Sequence, residues 1–261
     1  MSLGFSVEAL LPRARGGGAL RMGLVRLAED QWLQPEFDRS ARAGVFADHP
    51  ESVQLLPEAE APAREVAHML GVDGGLAEAG RAVWEDLCIL TPAPGSASYR
   101  LTGGAVGFPT DWRLGDKLGL PLTAVHAQIH GYAEQLAAGV DHLMATLEPG
   151  AIFGRANWFL VASDALRYMP TDDPRERFSH VDAANAGNSL FIRCERQTLR
   201  RLPDSGAILF TIGVVVARLG SLSGDLVSRV AASVMAVGVG ERERRAAPFY
   251  ADALTRYAAR R

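Results

Sequence analysis

Residues 188–212, NSLFIRCERQTLRRLPDSGAILFTI, decide the fold. They read as two strands joined by the turn Leu202–Pro203–Asp204–Ser205–Gly206. Proline fixes φ at the second turn position, and Asp, Ser and Gly supply the rest of the turn chemistry. Side chains alternate along a strand, so Arg193, Glu195 and Gln197 fall on one face and Leu190, Ile192 and Cys194 on the other. Two readings of the polar row are open. It is a solvated face with surface ion pairs worth about 0–1 kcal/mol each, or a row of functional groups extended by Arg196, Arg200 and Arg201.

The same β-rich texture starts at residue 86. DLCILTP and SYRLTGGAVGFP are strand-like runs bounded by Pro and Gly, and IFGRANWFLVAS after Pro149–Gly150 is a third. Residues 61–84 carry two helical patterns split by Gly71–Gly75. A further helix is expected over about 131–147, where Tyr132, Leu136, Val140, Leu143, Met144 and Leu147 recur at helical spacing. Residues 163–187 read as a polar loop with short helical pieces, and helices are expected around 221–236 and 247–260. Strands arrive in clusters and do not alternate with helices, so the expectation is one α+β domain over 1–261 with a mostly antiparallel sheet. Residues 1–84 form its N-terminal helical and loop cover.

The chain's 261 residues are enough for a sizeable core, and 48% hydrophobic with 22% charged residues is the ordinary globular balance. A formal charge of −3 argues against nucleic-acid binding through a strongly basic surface. Lys117 is the only lysine among 27 basic residues. The two cysteines, Cys88 and Cys194, are far apart and lie in apolar runs, so they read as buried thiols. They cannot build a four-cysteine zinc site or a cysteine-ligated iron–sulfur cluster. The start, MSLGFSVEALLPRARGGG, lacks the pattern of a signal peptide, and the longest apolar run, about Ala207–Ala217, is too short for a membrane helix. A cytoplasmic protein with no membrane association is expected.

His126 and His130 in VHAQIHGY are spaced like two ligands on one helix face, but Pro121 and Gly131 argue against a continuous helix through both. No third ligand at a standard spacing supports zinc. His126 is instead expected at the entrance to a helix, where the positive helix end keeps an imidazole neutral and able to bind a metal. A hydrogen-bonded, half-buried histidine is the alternative. In GRANWFL, Arg155 and Asn157 share a strand face with Phe159 and can approach a carboxylate, whereas Trp158 faces the core. Trp32, Trp84 and Trp112 are read as core. No nucleophile elbow, P-loop or dinucleotide fingerprint is present.

Several strings occur together in one order: RMGL and WL near the start, DLCIL, GAVGFPTDWRLGDKLGLPLTAVHAQIHGYAEQL, RANW, and the hairpin with its ERQTLRRLP block. Over about residues 20–220 the chain resembles the haem-dependent oxidative N-demethylase family. The resemblance implies a PAS-like α+β fold holding haem b, and O2-dependent oxidation of a small amine through an imine. It also implies electrons from a separate reductase carrying flavin and an iron–sulfur centre. Val125–Tyr132 stands where the family has IHxPVPGY, which makes His126 the iron ligand and Tyr132 the motif tyrosine. Glu195 and Arg196 take the places of the motif's Glu–Arg pair, giving Glu195, Tyr132 and Arg196 as catalytic candidates. His130, Arg155, Asn157 and Arg193 join His126 as candidate cofactor contacts. Gln128 and His130 stand where the family has prolines, and Gly213 stands where it has an arginine. Other readings are a specialised biosynthetic haem oxygenase, a non-catalytic haem-binding sensor or carrier, and a haem-free interaction protein.

Overall fold

The structure, a computed structural model, describes residues 3–12, 20–93, 95 and 98–261. Part of the amino-terminal stretch read for targeting signals, residues 1–2 and 13–18, lies outside them. Among the described residues seven strands form one antiparallel sheet, with helices flanking it, and the fold class is α+β. The strands are β1 (Val25–Leu27), β2 (Val53–Leu55), β3 (Asp86–Pro92), β4 (Tyr99–Ala105), β5 (Ile152–Val161), β6 (Phe191–Arg201) and β7 (Ile208–Arg218). Their order is β1-β5-β6-β7-β3-β4-β2. Among the described residues no helix is long and apolar enough to cross a membrane.

The β6–β7 hairpin forms as the sequence dictates, because the Pro203–Gly206 turn leaves eleven residues on each side free to extend. Gly206 takes φ +70°, which a side chain would oppose. The turn is closed from elsewhere: the Glu65 carboxylate accepts the amides of Asp204 and Ser205 at 2.7 and 2.9 Å. The solvated reading of β6 fails. Arg193, Glu195, Arg196 and Arg200 are all buried.

The chain divides into two compact units. The first takes in the described parts of 20–155 and 197–213. In it β3 pairs with β4 and with β7, β4 pairs with β2, and β1 pairs with β5. Its core gathers Leu90, Leu101, Leu114, Leu122, Met144, Leu147 and Ile208. The helical patterns of 61–84 become Glu60–Met69 and Leu76–Ala82. Arg42 is fully buried here. It donates to the Gly80 and Glu85 carbonyls at 3.0 and 2.8 Å and to Asp86 at 2.9 Å. Asp86 in turn accepts the amides of Gly107 and Phe108. Arg201 caps the C-terminal end of the helix Ala137–Thr146 by donating to the Met144 and Leu147 carbonyls.

The second unit takes in the described parts of 3–19, 156–196 and 214–261. The helices Gly224–Ala236 and Ala251–Ala258 are its longest. Cys194 is a buried free thiol in this unit, as Cys88 is in the first.

The helix expected over 131–147 is interrupted. It appears as Tyr132–Gln135 and Ala137–Thr146, with Leu136 between them at φ −121°. The apolar spacing continues across the break, so periodicity alone does not reveal it.

Candidate functional site

In the first unit, Pro121 caps the short helix Leu122–Val125 and His126 ends it. This corrects the placement of His126 at a helix entrance. Gly131 at φ +80° allows the chain to turn before it re-enters helix at Tyr132. His126 Nδ1 lies 2.8 Å from the Leu122 carbonyl. A carbonyl only accepts, so Nδ1 carries the proton and Nε2 is left as a lone pair. Nε2 has no hydrogen bond among the described residues.

The C-terminal end of a helix favours an imidazolium, yet this ring is held neutral. Its pKa is pushed down to about 4, chiefly by burial and further by the cations Lys117 and Arg155, with the Leu122 contact opposing. The imidazole stacks on Tyr132 with ring centroids 4.4 Å apart and planes 17° from parallel. Burial pushes the Tyr132 phenol up to about 12, and Asp141 adds to the shift, so the hydroxyl stays protonated at neutral pH. Lys117 Nζ donates to the Val125 carbonyl at 3.1 Å. His130 is exposed, and Arg155 is half-buried on β5. His126, Tyr132 and Arg155 thus share one electrostatic neighbourhood, as the shifts of the first two record.

In the second unit, β5 and β6 bring Asn157 and Glu195 together. Asn157 Nδ2 donates to Glu195 Oε2 at 3.2 Å. Asn157 lies on the half-buried face of β5, with Phe159, while Ala156, Trp158 and Leu160 are buried on the other, as alternation requires. Asn157 Oδ1 is buried and accepts no hydrogen bond among the described residues. A buried orphan acceptor costs about 1–3 kcal/mol unless a ligand or water meets it.

The two motif arginines are committed to main chain. Arg193 donates to the Ala165 and Leu166 carbonyls at 3.1 and 2.8 Å. Arg196 donates to the Gly4 carbonyl at 3.1 Å and lies 4.3 Å from the centroid of the Phe5 ring. In the first unit Arg200 pairs with Glu29 at 2.7 Å over Trp32. The sequence reading did not place Lys117 and Asp141 beside the His126–Tyr132 stack. For Lys117 the available signal was its rarity; for Asp141 no local signal existed.

The His126 tautomer leaves one neutral ring nitrogen able to coordinate a metal. The family model described as haem-dependent oxidative N-demethylase, alpha subunit-like, matches residues 72–237. That is more than half of the chain, and the chain belongs to this family. No curated protein matches it. Haem needs from a protein an axial ligand, apolar surroundings and cations for its carboxylates. The His126 lone pair, the partly buried apolar side chains Leu118, Val125, Leu143 and Phe153, and Arg155 meet those needs within the first unit. Among the described residues no three His, Cys, Asp or Glu side chains gather as a metal site; haem requires only one such ligand. The residues present fit the group.

Proposed function

We propose that the chain is a single haem-binding, PAS-like domain that oxidises a small secondary amine with O2. His126 Nε2 would hold haem b, which would supply the oxygen and electron chemistry. The amine loses its N–H hydrogen and one methyl C–H hydrogen, two electrons leave with them, and a C=N bond forms. O2 takes up these two electrons and two protons, together with two electrons from a separate reductase carrying flavin and an iron–sulfur centre and two protons from solvent, and leaves as two waters. One further water adds across the C=N bond, and the carbinolamine collapses to formaldehyde and the demethylated amine.

The chain's residues bind the amine, orient it and handle its protons. Glu195 receives the substrate as its ammonium, because a carboxylate favours the charged form. It later accepts the proton that must leave before nitrogen can be oxidised. Asn157 orients that carboxylate through Nδ2 and keeps Oδ1 for the ligand. Arg193 and Arg196, flanking Glu195 in sequence, fix the backbone that carries it. Tyr132 holds the imidazole plane by stacking and keeps its hydroxyl proton available. Arg155 would pair with a haem carboxylate, and His130, exposed and standing where the family has a proline, would be a further polar group toward the cofactor.

The observation that carries this reading is the His126 tautomer: Nδ1 bonded to a main-chain carbonyl, with Nε2 left as a neutral donor. Purified protein supplemented with haem is expected to show a Soret band that His126→Ala removes. Glu195→Gln is expected to keep the band and lose most oxygen uptake with secondary amines. An identical band in wild type and His126→Ala would sink the assignment, and full turnover in Glu195→Gln would remove that carboxylate from the chemistry.

A further inference from the structure

The chain has 27 basic residues and only one lysine, Lys117. It ends the short helix Leu114–Lys117 and is half-buried. Its Nζ lies 5.0 Å from the centroid of the Trp112 ring and donates to the Val125 carbonyl at 3.1 Å. Val125 is the last residue of its own short helix, so its carbonyl has no partner within that helix. It is also the carbonyl of the peptide bond leading into His126. A compact ammonium on a flexible stem can reach a single carbonyl beneath an indole.

We propose that Lys117 is a positioning residue for the axial histidine, fixing the Val125–His126 peptide and placing a permanent positive charge beside the imidazole. This rests on the haem reading above. The imidazole is gripped from two sides. Leu122 fixes its tautomer through Nδ1, and Lys117 fixes the peptide from which the ring projects. Partners of this outer kind set ligand orientation and basicity. A carbonyl acceptor at Nδ1 leaves the ring neutral, and the ammonium draws electron density from it. The hydrogen bond from Nδ1 supports the ring's basicity, while the ammonium's charge opposes positive charge on the metal and so favours the reduced state.

The test compares wild type, Lys117→Met and Lys117→Arg after loading with haem b. Haem affinity is read by Soret titration and the ferric/ferrous potential by spectroelectrochemistry. Lys117→Met is expected to bind haem about 10-fold more weakly, the lower end of the effect of losing an outer partner, and to show a lower potential. Lys117→Arg, which keeps charge and donor, is expected to recover most of both. If Lys117→Met fails to fold, Lys117→Gln carries the potential measurement, and an unchanged potential there overturns the charge effect. Wild-type affinity and potential in Lys117→Met would overturn this inference alone. A wild type that takes up no haem would overturn the haem reading, and this inference with it.

Discussion

The imidazole of His126 and the guanidinium groups of β6 are both polar groups in apolar surroundings, yet they use their hydrogen-bonding capacity differently. Arg193 and Arg196 direct donors at main-chain carbonyls of Ala165, Leu166 and Gly4. His126 commits one ring nitrogen to Leu122 and keeps the other. A guanidinium has five donors and no acceptor, so it is suited to gathering carbonyls. An imidazole can satisfy the fold with one nitrogen and still coordinate through the other. In the proposed function the guanidinium groups serve the scaffold, and the group with a nitrogen in reserve serves the chemistry.

The largest expected effect lies with a fully enclosed guanidinium, that of Arg42. Arg42 spends its donors on two carbonyls and Asp86, between the Phe46 and Phe108 rings. Asp86→Asn removes the countercharge while the cation stays buried, and urea unfolding is expected to register a loss of about 3–5 kcal/mol. A loss below about 1 kcal/mol would mean that the guanidinium reaches water, and the contrast with His126 would weaken.

Acid sharpens the comparison from the imidazole's side. In the unfolded chain this group titrates near 6.5, and in the folded haem-free protein near 4. Between those values the unfolded chain holds more protons. Stability therefore rises with pH through that window and is flat above it for this group. The difference corresponds to about 3 kcal/mol at roughly 1.4 kcal/mol per pH unit. Comparing haem-free wild type with His126→Asn between pH 4 and 7 isolates it; equal slopes would show the ring to be solvated.

The smallest effect separates scaffold from chemistry most cleanly. Arg193→Met removes the donor to the Ala165 and Leu166 carbonyls and is expected to cost about 1–2 kcal/mol. Haem affinity is expected to stay within about threefold, well short of the loss typical of an outer-shell partner. Unchanged stability with a large loss of haem would move Arg193 to the ligand side of the comparison.

The hairpin was legible because its turn chemistry is local: Pro203, Asp204, Ser205 and Gly206 act within five residues of one another. Alternation on β5 was legible for the same reason. The partners of the β6 arginines were not, since the carbonyl that Arg196 meets lies 192 residues away in sequence. A basic residue in a strand looks the same whether it meets water or a distant backbone oxygen. His126 was found as a candidate, but its end of the helix was misjudged. Pro121 starts a helix that lasts only to Val125, and residue pattern alone does not give the length of so short an element.

The Glu65 carboxylate on the hairpin tip has a consequence for how this chain can be cut and rebuilt. Exposed turn apices are ordinarily where proteases nick and where new termini or inserted modules are accepted. Here the amides of Asp204 and Ser205 are held by an acid from the helix Glu60–Met69. Slow amide exchange at those two positions should accompany a tip that resists proteolysis and tolerates circular permutation poorly, and Glu65→Gln should loosen both together.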